Sequence, residues 1–167
     1  VVGMGITGDC SAREVSIHQP AKFAAMEGVM ETGAPLALHL VGWMNPSTHE
    51  VTGISIPYML TFLTHHDLDT TITGMNDIPQ DERPPILPVF YSFHIMILIG
   101  CALGALFLVG LWGWKKVWLF QKRWLLWCFV FSVLGPQIAN QVGWAVAEMG
   151  RQPWIVYGIL RTEHAVS

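Results

Sequence analysis

Polar and apolar positions are spread unevenly along this chain, and the unevenness predicts its elements. Val89 to Trp114 holds no formally charged residue, and Trp124 to Ala147 holds none either. Each run exceeds the roughly 20 apolar residues that a helix needs to cross a bilayer. Transmembrane helices are therefore predicted over residues 89–114 and 124–149. The short polar segment 115–123 between them carries Lys115, Lys116, Lys122 and Arg123, four of the nine Lys and Arg residues of the chain. Such crowding marks a cytoplasmic loop, which places residues 16–88 and the connection 150–167 on the outer face.

The long outer segment has its own pattern. Pro20 suits the first turn of a helix, where its missing N–H costs nothing, and Ala21 to Thr32 (AKFAAMEGVMET) is rich in helix formers. A short helix is expected there. The apolar patch Ile54 to Leu63 reads as a second short helix, started at Pro57 and lying on the membrane or on a protein partner. Asp77 to Pro88 (DIPQDERPPILP) has four prolines in twelve residues, which predicts a stiff extended lead-in to the first span. Residues 1–15 read as the end of a preceding transmembrane helix and its connection. Val1 to Ile6 looks like the tail of a longer apolar segment, and Arg161 to Ser167 stops without a second anchor. The expectation is a piece of a longer polytopic protein.

Composition supports the membrane reading: 52% of residues are hydrophobic, only 13% are charged, and there are 8 Trp. The fold class predicted is all-α integral membrane, two transmembrane helices with a long external loop forming part of a larger helical bundle. A net charge of -3 with no basic stripe or phosphate-binding loop gives no reason to expect nucleic acid. Cys10, Cys101 and Cys128 show no metal-ligand spacing.

Within the spans, the polar residues are the informative ones. Gln137, Gln141, Trp144 and Glu148 recur at steps of four, three and four, so they share one helix face. A polar stripe is costly against lipid, so it should meet protein, water or a cofactor. Glu148 and Arg151 close that helix in GWAVAEMGRQPW; the competing reading is a snorkelling helix end. His94 and Met96, in YSFHIMILIG, carry an imidazole and a thioether, either of which can ligate haem iron. Two residues apart, they point about 200° from one another and cannot serve one iron from one side. The competing reading is core packing for Met96 and a hydrogen-bonded core or interfacial histidine for His94. His65-His66-Asp67 reads as solvated loop rather than a metal site. Gly100 and Gly104 form a GxxxG that permits close helix approach. Lys22 and Glu27 offer a donor and a proton acceptor of the kind a quinol headgroup needs, or simply a solvated face.

Three of these stretches taken together, QPAKFAAMEG at 19–28, RPPILPVFYSFHIM at 83–96 and GWAVAEMGRQPW at 143–154, resemble subunit I of cytochrome bd-type quinol oxidases. They occur in that family's order, and the compact loop resembles its short-loop branch. The resemblance implies a respiratory quinol:oxygen oxidoreductase with a low-spin and a high-spin haem b, and haem d or a third haem b. It implies quinol binding at Lys22 and Glu27, and iron ligation by Met96. Glu148 would stand at the oxygen-reducing haem pair, with Arg151 beside it and Trp144 on the same face. Implied partners are subunit II, the remaining helices of subunit I, membrane lipid, quinol and oxygen; the implied location is a bacterial or archaeal cytoplasmic membrane. His94 stands where the family usually has Arg (SFRIM), and a histidine cannot hold a fixed positive charge there. Two other classes compete: a haem-free membrane anchor or assembly subunit, and the b-type cytochrome anchor of a dehydrogenase, which ordinarily uses paired histidines.

Overall fold

The computed structural model describes residues 2–165, with side chains from residue 7 onward; Val1, where the upstream apolar segment was expected, and the last two residues lie outside that range. Helix α1 (Val2–His18) turns directly into α2 (Pro20–Glu27). Pro20 occupies the first turn of α2, and Gly28 ends it in the left-handed conformation at φ 70, its N–H bonded to the Ala24 carbonyl. This is the cap that glycine adopts without a Cβ penalty.

A hairpin follows where no strand was expected. Strands β1 (Leu38–Met44) and β2 (Val51–Ile56) pair antiparallel, Gly42 opposite Gly53 and Met44 opposite Val51. The turn between them is fixed by Asn45, whose Oδ1 accepts from the Ser47 amide and hydroxyl. A Cβ on Gly53 would run into the Val41 carbonyl, so only glycine allows the strands this approach. The patch Ile54 to Leu63 therefore divides: its first residues belong to β2, and helix α3 (Met59–His65) begins only after Tyr58. With a second small hairpin, β3 (Trp154–Val156) and β4 (Leu160–Arg161), the fold is mostly helical rather than all-α.

The prolines of 77–88 do not give a plain extended arm. Turns of 3-10 helix form at Met75–Asp77 and Gln80–Glu82, and the first span, α4 (Ile86–Lys115), starts just after Pro85. At 30 residues it is about 45 Å long at the usual rise, enough to cross a hydrocarbon core of about 30 Å. The second span is two helices, α5 (Arg123–Phe131) and α6 (Leu134–Gly150). Pro136 supplies the reason: it has no N–H for the Ser132 carbonyl, which instead accepts from Gly135 at 3.0 Å. Both spans are long and apolar enough to cross a membrane, and little of either is buried within this chain.

The core lies at one end of the spans. Ala21, Phe23, Ala24 and Ala25 of α2 pack with Leu60, Ile72 and Met75 from the loop, Val89 of α4 and Val146 of α6. α2 is thus clamped between the loop and the ends of both spans, which sets the positions of Lys22 and Glu27.

Candidate functional site

α2 presents its two chemical residues in different directions. Five positions apart, Lys22 and Glu27 differ by about 140° around the helix, so they do not form one pocket wall. Lys22 lies along α6: a Cβ on Gly150 would come within 2.9 Å of the Lys22 Cγ. Partial burial holds its ammonium below the usual lysine range, with Glu148 pulling it up and Arg151 pushing it down. The structure therefore gathers Lys22, Glu148 and Arg151 at the end of α6, a juxtaposition that sequence spacing across more than a hundred residues could not reveal.

Arg151 donates to the same Glu148 oxygen, Oε2, from Nη2 at 2.6 Å and from Nε at 3.1 Å. Such charge-assisted pairs are among the stronger hydrogen bonds. Arg151 also donates to the Trp154 carbonyl at 3.3 Å, which ties the helix end to β3. Because both bonds fall on Oε2, Oε1 of Glu148 stays outside the pair. On the same helix Gln137, Gln141 and Trp144 are exposed on this chain, Trp144 by 66%.

Glu27 faces away from this cluster and is 6% exposed. Burial raises its carboxyl from the ordinary 4.5 to about 7, because the charged form loses its hydration. It lines an apolar cavity of about 350 Å³ with Phe23, Leu38, Leu60, Thr64 and Ile97. It also lines a second cavity of about 270 Å³ with Glu31, Leu36 and His39.

Met96 sits half-buried between α4 and α6; a Cβ on Gly143 would lie 3.0 Å from its Sδ, so the glycine makes room for the sulfur. His94 is otherwise engaged. Its Nδ1 lies 2.9 Å from the Phe90 carbonyl and its Nε2 3.1 Å from the His39 carbonyl, with the Phe90 ring 4.1 Å away. With both nitrogens facing carbonyls, His94 fastens the hairpin to α4. Tyr91 makes a second fastening, its hydroxyl bonded to the amide and carbonyl of Met44. His66 of the HHD loop pairs with Asp9 of α1 at 3.3 Å.

Among the described residues, three buried side-chain polar atoms lack a hydrogen-bond partner: Gln19 Oε1, Glu27 Oε2 and Trp154 Nε1. Such orphans are uncommon and each asks for an explanation. All three fall within QPAKFAAMEG and GRQPW. Gln19 and Trp154 were not singled out from the sequence; a polar atom's burial shows only in three dimensions. A thioether, a carboxylate with one oxygen outside its ion pair, and a guanidinium are donor types that suit haem iron and haem propionates, so these residues fit haem.

Two apolar spans topped by a packed loop that buries polar groups of two motifs give the class of the molecule, a mostly helical subunit with two candidate membrane spans. The chain belongs to the cytochrome bd terminal oxidase subunit I family, whose defining pattern matches residues 1–167. It is 34% identical over 166 residues to a Bacillus subtilis (strain 168) protein provisionally named cytochrome bd menaquinol oxidase subunit I, covering 97% of this chain and 37% of that one. To the cytochrome bd ubiquinol oxidase subunit 1 of the same organism it is 30% identical, with 99% of this chain and 38% of the relative covered. The structure of bd oxidase from Geobacillus thermodenitrificans superposes with a TM-score of 0.83 at 36% identity, over 99% of this chain and 38% of that one. The chain thus spans well under half the length of these relatives.

Proposed function

We propose that this chain is the quinol-oxidising and haem-bearing middle portion of a terminal oxidase that passes electrons from quinol to oxygen. The observation that carries the reading is the confinement of the three orphaned polar atoms to QPAKFAAMEG and GRQPW: both motifs bury groups that still need a partner. The crowded positive charge at Lys115 to Arg123 supports a cytoplasmic placement for that turn and an outer placement for α2 and the hairpin, in a bacterial or archaeal cytoplasmic membrane.

In this reading Glu27 accepts a proton from a quinol hydroxyl, and Lys22 supplies positive charge on the neighbouring face of α2. Met96 would hold the iron of the low-spin haem b. Glu148 would serve the high-spin haem b and the haem d or third haem b, with Arg151 fixing the carboxylate and Trp144 on the same face. When bound, these haems supply one-electron transfer and the oxygen-binding iron. Thioether ligation raises a haem's potential, which suits the acceptor of quinol electrons. Arg151 holds Glu148 in one rotamer and offsets the cost of its charge at the membrane edge. Subunit II, the remaining helices of subunit I and lipid would cover the open apolar faces of α4 and α6.

The test is Met96→Leu in the whole oxidase. The substitution preserves volume and apolarity, so packing should change by less than about 1.5 kcal/mol. The low-spin haem spectrum should nevertheless disappear or become high-spin. A normal low-spin spectrum would return Met96 to packing alone and remove the haem reading of α4.

A further inference from the structure

Glu27 stands between two cavities of unlike character. On one side the space of about 350 Å³ is walled by Phe23, Leu38, Leu60, Leu63 and Ile97. Ile97 belongs to the first span and Leu60 and Leu63 to α3, so this side adjoins the membrane-facing part of the fold. Its volume falls at the lower end of the roughly 300–1,000 Å³ typical of small-molecule sites. On the other side the space of about 270 Å³ is bounded by the Gly28–Glu31 turn, Leu36 and His39. Glu31 there is exposed and His39 half-buried. The one side chain common to both linings is Glu27, whose Oε2 is buried without a hydrogen-bond partner.

We propose that the second cavity is a proton-exit vestibule, in which His39, assisted by Glu31, carries away the protons that Glu27 receives from quinol in the first cavity. This rests on the quinol-site reading above and adds to it a route and two residues. The chemistry balances at each step. A quinol O–H bond would break and an O–H bond form on the Glu27 carboxylate, with the electron going to the one-electron acceptor that a haem held by this subunit would supply. The Glu27 O–H then breaks as water in the vestibule passes the proton to the His39 imidazole. His39 releases it to the outer solution, and the cycle repeats for the second proton.

The groups around Glu27 are arranged for one direction. From α1, Asp9 is the titratable residue of the apolar cavity, and it is paired with His66 at 3.3 Å. From α3 and α4 that cavity receives Leu60, Leu63, Thr64 and Ile97, none of which carries a charge. The vestibule side has both a carboxylate and an imidazole. Partial burial holds His39 below the usual histidine range, and the neighbouring His94 lowers it further. It is therefore a neutral base near pH 7, ready to accept a proton and quick to give it up. The backbone carbonyl of His39, not its ring, receives the His94 contact, so the imidazole can be removed without cutting that fastening.

The experiment uses the whole oxidase in lipid vesicles, with a short-chain ubiquinol as donor. His39→Ala should slow oxygen uptake about tenfold or more, the order that a positioned proton acceptor contributes, with KM for quinol within about twofold. The dithionite-reduced haem spectrum should be unchanged. Imidazole added to the outer solution should restore most of the rate, and Glu31→Gln should give a smaller loss. Wild-type rate and pH profile in His39→Ala would overturn the vestibule, as would a loss that imidazole fails to repair. Glu27→Gln separates the two claims: full quinol-driven uptake in that variant would remove the quinol site itself, whereas an inactive Glu27→Gln beside a normal His39→Ala would remove only the exit route.

Discussion

Replacing Glu27 by Gln should make the protein more stable at alkaline pH while removing quinol oxidation. The amide has nearly the same shape but does not ionise. Glu27 is raised from 4.5 to about 7 by burial, and one pKa unit corresponds to about 1.4 kcal/mol, so ionising it in the folded state costs about 3 kcal/mol. The sign follows from proton binding. Between pH 4.5 and 7 the folded protein holds this proton and the unfolded chain has released it, so stability falls as pH rises through that window. Below it both states are protonated, and the two proteins differ by a constant. Above pH 7 the wild type has lost up to about 3 kcal/mol relative to the variant. Thermal unfolding of the whole oxidase in detergent at pH 5 and pH 8 measures the change: the variant's advantage should grow between the two. Infrared spectroscopy should show a carboxyl C=O band titrating near pH 7 that Glu27→Gln removes. An advantage independent of pH, or a band already absent at pH 5, would show that Glu27 is ionised in place and that its burial does not control its charge.

Other substitutions test neighbouring contacts. Gly28→Ala places a Cβ in the left-handed region and within 2.7 Å of Val51 Cγ2 and 3.0 Å of Phe90 Cε2. The expected loss is about 1–2 kcal/mol from the backbone and about 1–3 kcal/mol from overpacking; unchanged thermal stability would show that the hairpin yields freely. Glu148→Ala should abolish oxygen reduction while quinol still reduces the low-spin haem, followed by stopped-flow absorbance. Arg151→Ala should slow oxygen reduction by about 10–100-fold, as loss of a group orienting a ligand does. Full turnover in Glu148→Ala would make the carboxylate a tolerated helix-end charge.

The spans were legible because lipid imposes a simple rule: about 20 apolar residues without charge. Even so, the pattern could not show the break at Ser132, which follows from a single missing N–H at Pro136. α2 was also legible, with Pro20 opening it and helix formers following, although it ends at Glu27 rather than Thr32 because Gly28 turns left-handed. The hairpin went unread. Its signals were present, β-branched alternation in Val51-Thr52-Gly53-Ile54-Ser55-Ile56 and the turn sequence Asn45-Pro46-Ser47-Thr48, but the apolar patch running on to Leu63 outweighed them. The sheet itself is a non-local arrangement: it depends on Tyr91 and His94 fastening it to α4.

The candidate site divides the same way. Residue types named Lys22, Glu27, Met96, Glu148 and Arg151, but not how they group. A shared place in QPAKFAAMEG suggested Lys22 with Glu27, as a quinol-binding pair or a plain solvated face. Helix geometry separates them instead, and the fold sends Lys22 to the Glu148–Arg151 pair and Glu27 to the cavities. α2 is thus a partition with two working faces. Its packed alanines, Ala21, Ala24 and Ala25, let it sit close against the span ends, and larger side chains there would push both faces away from their partners. A helix so placed can hold a positive charge beside one half-exposed carboxylate, Glu148, while keeping the buried Glu27 apart from it on another face. If Glu27 is the proton acceptor of the proposed quinol site, that separation helps it, because the group must stay basic enough to take a proton and be shielded from the cationic cluster that would otherwise keep it ionised.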